Sequence, residues 1–529
     1  MDNKRVKTAA GETVRAEAER SAAGYSETSG SGTAECMQTA ALGAAGYSET
    51  SDRVYQRTLT FVYLKAVRDV LGVRTTIFNS LTKGLYTELD AGDPVTDAQI
   101  EQIEAKMREY VRADAPIGCR IVTRQDVLDL LEKETKGSRE HLALLKYATD
   151  VHYIAVYELD GYHNFFFGRM LPSAGPLTLF GLARYGDGVL LRYPHPSAPD
   201  RLPDVPGDDK LYKAFEQGWD IARGLGLRYA GDLDEEVEQG LAEDIIRLSE
   251  RMHAAQIEDV SEQILSRKKR VILLAGPSSS GKTTTAKHFI NALAAHGPAP
   301  LYLGTDDYFV ERDESPLDEN GEHDFEGLDA IDVRLFSDNI NSLLAGDAVD
   351  LPVFDFLSGC KQFGTRITRL EKNQPILIEG LHALNPAMTV GLPDEEKYKI
   401  YISPLTQLNL DDHNRIPTTD VRLIRRMIRD HRTRGNSVTD TIKAWPKVRR
   451  GENIHVFPYY GEADAIFNSA LLYELPVLRA HAEELLAGVT PDMEAYGVAI
   501  RLLDFLRFFK KIENEAAIPG DSVIREFIG

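Results

Sequence analysis

Residues 271–285 read Val-Ile-Leu-Leu-Ala-Gly-Pro-Ser-Ser-Ser-Gly-Lys-Thr-Thr-Thr. Five apolar residues end at Ala275. A G-x-x-x-x-G-K-T loop then runs from Gly276 to Thr283, and Thr284 to Leu293 reads as a helix. Strand, glycine-bounded loop and helix in that order make a phosphate cradle, because backbone N–H groups and a helix N-terminus attract anions. The candidate nucleotide contacts are Gly276, Pro277, Ser278, Ser279, Ser280, Gly281, Lys282, Thr283 and Thr284. Lys282 is expected to reach the β/γ-phosphates, and the Thr283 hydroxyl to face Mg²⁺.

The chain around this loop has 529 residues and a formal net charge of −21. That length suggests two to four domains. The acidic balance argues against non-specific nucleic-acid or anionic-membrane binding, which need excess Lys/Arg. Cys36, Cys119 and Cys360 form no C-x-x-C pair. Neither a disulfide framework nor a cysteine zinc site is indicated. No apolar run approaches the length of a membrane span, and no apolar h-region is read at the N-terminus. A reducing cytoplasm is the expected location.

Residues 1–52 are rich in Ala, Gly, Ser, Thr and Glu, and AAGYSETS occurs twice, at Ala22–Ser29 and Ala44–Ser51. This composition predicts a disordered tail. An α+β region follows over 53–240. Its predicted elements are a helix from near Tyr55 to Leu71, strands at Arg74–Ile77 and Leu85–Leu89, and a helix Asp97–Val111 capped at Thr96. A helix Asp126–Glu134 and strands His152–Leu159 and Asn164–Arg169 complete it. Residues 188–210, rich in Pro and Asp, read as a long loop. Val237–Lys268 reads as one helical stretch, with 241–268 as connector. From 269 to 475 apolar strands alternate with helices: Val271–Ala275, Leu301–Gly304, Ile376–Ile378, Lys399–Ile402 and Ala465–Phe467. That alternation predicts an α/β fold, a parallel sheet covered by helices on both faces. Residues 476–529 read as a helical extension that packs on something.

Acidic groups after the loop narrow the chemistry. The second strand ends in Thr305-Asp306-Asp307-Tyr308-Phe309. A carboxylate leaving a strand beside the loop can take the proton of a substrate hydroxyl or help hold Mg²⁺. The buried strand Ile376–Ile378 delivers Glu379 toward the same metal. The candidate metal-side set is therefore Thr283, Asp306 and Glu379. Arg422, Arg425, Arg426 and Arg429 recur at helical spacing, with Arg432 and Arg434 after them. In an acidic chain this basic face is read as a phosphate-clamping lid, which neutralises charge on a transferred phosphoryl group.

Taken together, about 268–470 resembles the uridine kinase/phosphoribulokinase family. GPSSSGKTT, TDDYF, PVFDF, LIEG, DVRLIRRMIRD and EADAIFNS occur in family order. The resemblance implies a P-loop kinase that uses ATP and Mg²⁺ to phosphorylate a sugar hydroxyl, most simply the 5′-hydroxyl of a nucleoside. It implies Asp306 as general base, with Lys282, Glu379 and Arg429 in the catalytic set. Tyr308, Asp324, Phe354 and Arg426 fall on the substrate side. Arg429 and Arg434 match arginines that approach ATP, and Asp464 matches a residue near the adenine. Where pyrimidine-reading relatives carry a histidine this chain has Gly359, and Asn436 stands at a second arginine position. The base is therefore left open, since specificity comes from placed polar partners.

Residues 55–175 also resemble the editing-type second domain of threonyl- and alanyl-tRNA synthetases, through SLTKGLYTEL, IEQIEAKMREYV and GRMLPSAGPL. The metal-ligand positions of active editing sites align with Tyr55, Leu59, Phe166 and Met170. The resemblance thus implies a scaffold without zinc or hydrolysis. A small-molecule nucleoside is the expected partner, nucleic acid and membrane are not, and homo-oligomerisation is left open. Competing readings are an RNA-linked ATPase or nucleotide sensor using the synthetase-like domain, and a phosphoribulokinase-like sugar-phosphate kinase.

Overall fold

The computed structural model describes residues 51–81, 84–134, 139–195, 198–205, 210–317 and 321–529. The two AAGYSETS copies and the tail expectation lie outside these, apart from Ser51 and Asp52, which open a helix.

The N-terminal half is α+β. Helix α1 (Ser51–Leu71) precedes strands β1 (Thr75–Leu81) and β2 (Gly84–Leu89) and helix α2 (Asp97–Arg112). Thr96 caps α2 through a reciprocal capping box with Gln99, as the sequence predicts. Next come β3 (Gly118–Thr123), α3 (Arg124–Glu134), α4 (Arg139–Tyr147), β4 (Tyr153–Leu159), β5 (Tyr162–Phe165), β6 (Gly181–Tyr185) and β7 (Gly188–Arg192). Strands β3, β4 and β5 form one antiparallel sheet, and β1-β2-β7-β6 another. The predicted loop at 188–210 is corrected at its start. Val189–Leu191 pair with β2 and are buried, because β7 is the strand that centres the sheet.

Alternation along that sheet sends its side chains to two cores. Ile77, Leu85, Val189 and Leu191 pack toward α1 and α2. Tyr86 and Leu190 pack instead on Phe215 and Trp219 of α5 (Lys210–Gly224). Helices α6 (Ala230–Glu238) and α7 (Ala242–Ser266) follow. The single helical stretch read over 237–268 is broken between them, where Gly240 takes φ +83. Cys360 is free and exposed.

In the second half, β8 (Val271–Ala275), α8 (Lys282–Ala294), β9 (Leu301–Gly304) and α9 (Val333–Ala345) are followed by four short strands. These are β10 (Val349–Asp350), β11 (Val353–Asp355), β12 (Cys360–Gln362) and β13 (Ile367–Thr368). Then come β14 (Ile376–Glu379), β15 (Lys397–Ser403), α10 (Thr418–Arg434), α11 (Val438–His455) and β16 (Ala465–Asn468). The five long strands form a sheet in the order β16-β15-β8-β14-β9, all parallel. Ile272 and Leu274 face α7 and α8, while Val271, Leu273 and Ala275 face α9. Both faces are covered, which is why these strands read as continuous apolar runs.

Helices α12 (Glu474–Ala487), α13 (Tyr496–Leu506) and α14 (Arg525–Ile528) close the chain. They pack on α10, where Val421, Leu423, Ile424, Met427 and Ile428 share one core with Leu475, Leu478, Leu502 and Phe505. Each such side chain stabilises by about 1.5–3 kcal/mol when buried. Among the described residues no helix is long and apolar enough to cross a membrane.

Candidate active site

Strand register makes the site. Glu379 pairs with Leu274 of β8 on one side and Gly304 of β9 on the other. The C-terminal ends of three adjacent strands are therefore level. They release the phosphate loop, Glu379 and Thr305-Asp306 onto one edge, where open α/β sheets bind ligands.

The loop needs its glycines. A Cβ at Gly276 would strike the Ile402 carbonyl, and Gly281 caps α8 at φ +85. Lys282 Nζ donates to the Pro277 carbonyl at 3.2 Å. The Ser279 and Ser280 hydroxyls are buried without a hydrogen-bond partner. Orphaned donors above a helix N-terminus fit an anion. Thr283 Oγ1 donates to Glu379 Oε2 at 3.3 Å, and Tyr302 OH donates to the same oxygen at 3.0 Å. Burial pushes the Glu379 carboxyl up to about 7; Asp306 adds to this and Lys282 opposes it. Asp306 opens onto the cleft, yet desolvation by the surrounding walls raises its carboxyl, helped by Asp307 and opposed by Lys282.

Thr283, Glu379 and Asp306 supply oxygen donors alone, which suits a hard divalent cation such as Mg²⁺. Among the described residues no cluster of three His/Cys/Asp/Glu groups forms a metal cage. The set fits Mg²⁺ shared with substrate phosphates, which need one or two protein carboxylates.

The arginine face is corrected in part. Arg422 and Arg425 are fully buried. Arg422 Nε donates to the Ser278 carbonyl at 2.9 Å, and its guanidinium pairs with Glu452. Arg425 pairs with Glu474 and donates to the Ser469 carbonyl at 2.9 Å. Helix α10 is wrapped by α11, α12 and α14, and every residue from Asp420 to Arg425 is buried. These two arginines brace the phosphate loop from behind instead of closing over it. Arg426, Arg429 and Arg434 sit farther along, gathered on Asp430, and Arg426 Nη1 reaches Ser278 Oγ at 2.7 Å.

Tyr308 is also corrected. It is 1% exposed, accepts a hydrogen bond from Asn339 and packs on Phe336. The neighbouring Phe309 faces the cleft side, with its ring 5.6 Å from Phe354 and 6.3 Å from both Phe325 and Phe356. Phe354 thus joins an aromatic recess next to Asp306. Asp324 accepts from the Glu326 amide at 3.1 Å, which turns the loop so that Glu326 faces Arg426 and Lys282. Burial pushes Glu326 up to about 7 and holds His382 down at about 4, so the imidazole is neutral near pH 7. Gly359 leaves no empty space, since Arg312 packs where its Cβ would fall.

Asp464 is not brought to the loop. It precedes the edge strand β16 and bonds the Lys399 amide at 2.9 Å, with Arg267 at 3.3 Å. Lys399 is level with Leu273, in mid-strand. The C-terminal helix does reach the loop: Glu526 Oε2 accepts from Thr284 Oγ1 at 3.0 Å, and Val523 lies against Gly281.

Sequence reasoning missed Glu452, whose carboxylate accepts from the Ser278 amide at 2.9 Å as well as from Arg422. A signal existed. Val438, Ile442, Trp445, Val448 and Glu452 are buried at helical spacing, so an acid occupies an apolar stripe. Glu326, His382 and Glu526 gave no such signal, since loops and chain ends carry no periodicity.

Residues 271–471 match the Phosphoribulokinase / Uridine kinase family. A uridine kinase of Chloroflexus aggregans is 30% identical over 199 residues, covering 37% of this chain and 85% of the relative. A uridine kinase of Anoxybacillus flavithermus is 28% identical over 185 residues, covering 35% and 78%. A solved structure of a possible uridine kinase from Bacillus stearothermophilus covers 40% of this chain and 98% of its own, with 20% identity and a TM-score of 0.29. The loop, the level strand ends, the family match and the sequence relatives fall on the same residues, and the chain belongs to the phosphoribulokinase/uridine kinase family of P-loop kinases.

Proposed function

We propose that the protein transfers the γ-phosphoryl group of ATP to the 5′-hydroxyl of a nucleoside, with Mg²⁺ as cofactor. The observation that carries this reading is the juxtaposition at one sheet edge of Lys282, Asp306 and Glu379 with an aromatic recess built on Phe309, Phe325 and Phe354. An aromatic recess favours a flat base over the bare sugar phosphate of a phosphoribulokinase-like substrate.

In this reading Asp306 takes the proton from the attacking hydroxyl oxygen, a task its raised carboxyl suits. Lys282, Arg429 and Arg434 balance charge on the phosphoryl oxygens. Thr283 and Glu379, with Asp306 beside them, would hold Mg²⁺, which would supply charge screening for the phosphates. Glu326, which faces Arg426 and Lys282, is assigned with Arg426 to the substrate side in this reading. With Arg312 beside Gly359 and no imidazole there, uridine and cytidine are not expected to be strongly preferred over thymidine.

The synthetase-like reading of 53–240 stands as part of this proposal. Leu59, Phe166 and Met170 belong to one buried core with Tyr55 packed against it, and the reading takes these four as the positions that active editing sites give to metal ligands. Such a set offers a metal nothing to bind.

The test is a panel of nucleosides with Mg²⁺-ATP, read by ADP release and by product mass. Nucleoside-dependent ADP release with a 5′-monophosphate product is expected, and it should vanish in Lys282→Ala. RNA-dependent ADP release without any phosphorylated nucleoside would refute the proposal.

A further inference from the structure

Behind the phosphate loop, between the N-terminal sheets and α10, lies a cavity of about 2360 Å³. Arg422 lines it while bonding the Ser278 carbonyl, so cavity and loop share one wall. The chain carries a net charge of −21, yet ten Lys/Arg against five Asp/Glu line this cavity. One sign of charge gathered between low-dielectric walls focuses the field on a ligand of the other sign.

The charge is densest at the start of α10. Asp420 is shared by Arg53 at 3.2 Å and Arg501 at 3.0 Å. Arg415 lies half-buried near the same carboxylate and the Tyr193 phenol. Its side chain forms no hydrogen bond or ion pair among the described residues. A half-buried guanidinium beside an already shared carboxylate has donors left for a further anion. Tyr193, Tyr401, Trp445 and Tyr460 add aromatic faces to the walls. Guanidinium groups for phosphate and rings for a base together suit a nucleotide.

We propose that this cavity is a second nucleotide site, for a free mononucleotide, with Arg415 as its phosphate anchor. The acidic chain as a whole disfavours an RNA strand, whose affinity rests on many phosphate contacts over a basic surface. An occupant here touches Asp420 and Arg422 at one end of α10, while Arg426 and Arg429 serve the phosphate site at the other.

The experiment counts ADP bound per full-length chain by equilibrium dialysis. Wild type should bind two. Lys282→Ala should lose the loop site and keep one. Arg415→Gln should weaken the second site by about tenfold or more, the loss of a charge-assisted contact, while leaving the loop site intact. Arg415→Lys, which keeps the charge, should recover much of that binding, and it serves if the glutamine variant unfolds. A single ADP per wild-type chain, abolished in Lys282→Ala, overturns the proposal. So does unchanged two-site binding in Arg415→Gln. Binding of a short single-stranded RNA that Arg415→Gln loses, with ADP at one per chain throughout, overturns it in favour of nucleic acid. The count is independent of whether any nucleoside is phosphorylated.

Discussion

Arg422→Met separates a brace from a clamp. Arg422 is 1% exposed, its Nε holds the Ser278 carbonyl at 2.9 Å, and its guanidinium pairs with Glu452 and lies 5.2 Å from the Trp445 ring. Methionine refills much of the volume but strands part of a buried carboxylate. Glu452 keeps Arg449 at 2.8 Å and the Ser278 amide at 2.9 Å, so the loss falls near the lower end for breaking a buried pair, about 3 kcal/mol. Against a typical total of about 5–15 kcal/mol, that is a large fraction. The assay is urea denaturation followed by Trp445 emission in a Trp219→Phe background, since the chain has two tryptophans and Trp445 touches the affected residue. The midpoint should fall substantially. Folded protein should keep kcat within about tenfold, with a higher KM for ATP as the loop loosens. If stability stayed within about 1 kcal/mol while kcat dropped about 10³-fold, Arg422 would be a phosphate clamp and the bracing argument would be wrong.

Three further outcomes follow from the same geometry. Asp306→Asn should lower kcat by about 10²–10⁴-fold with little change in ATP binding; weak ATP binding with normal turnover at saturation would make it a metal-side group alone. Glu379 has its carboxyl raised by burial from 4.5 to about 7. The unfolded chain releases this proton first, so stability without Mg²⁺ should fall as pH rises across that window, and Glu379→Gln should flatten that part of the profile. Glu526→Gln should lower the KM for ATP by about fivefold, roughly 1 kcal/mol of relieved repulsion between its carboxylate and nearby phosphates; a raised KM in a steady-state titration would mean that the C-terminal helix helps to bind the donor.

Much of the architecture was legible in the chain itself. A glycine-bounded loop between an apolar strand and a helix has few physical solutions, so Gly276–Thr284 and the flanking elements followed from local chemistry. Continuous apolar runs at Val271–Ala275, Ile376–Ile378 and Ile400–Ile402 announced strands buried on both faces. Thr96 announced a cap. These signals are local, and tertiary packing had no reason to overrule them.

What only the tertiary structure decided is which way side chains spend their polarity. Arg422, Arg425, Arg426 and Arg429 look equivalent at helical spacing, yet wrapping of α10 by three helices buries two of them against Glu452 and Glu474 and leaves the others at the cleft. Tyr308 and Phe309 are adjacent in sequence, and the turn after β9 sends the hydroxyl-bearing ring into the core and the bare ring to the recess. Asp464 sits among strand-end acids, but the stagger of β16 against β15 holds it level with mid-strand Leu273. Glu526 is 242 residues from Thr284 and meets it through packing alone. Spacing along a chain determines what a segment can become, whereas burial and strand register, set by the whole fold, determine which of its charged groups face a ligand.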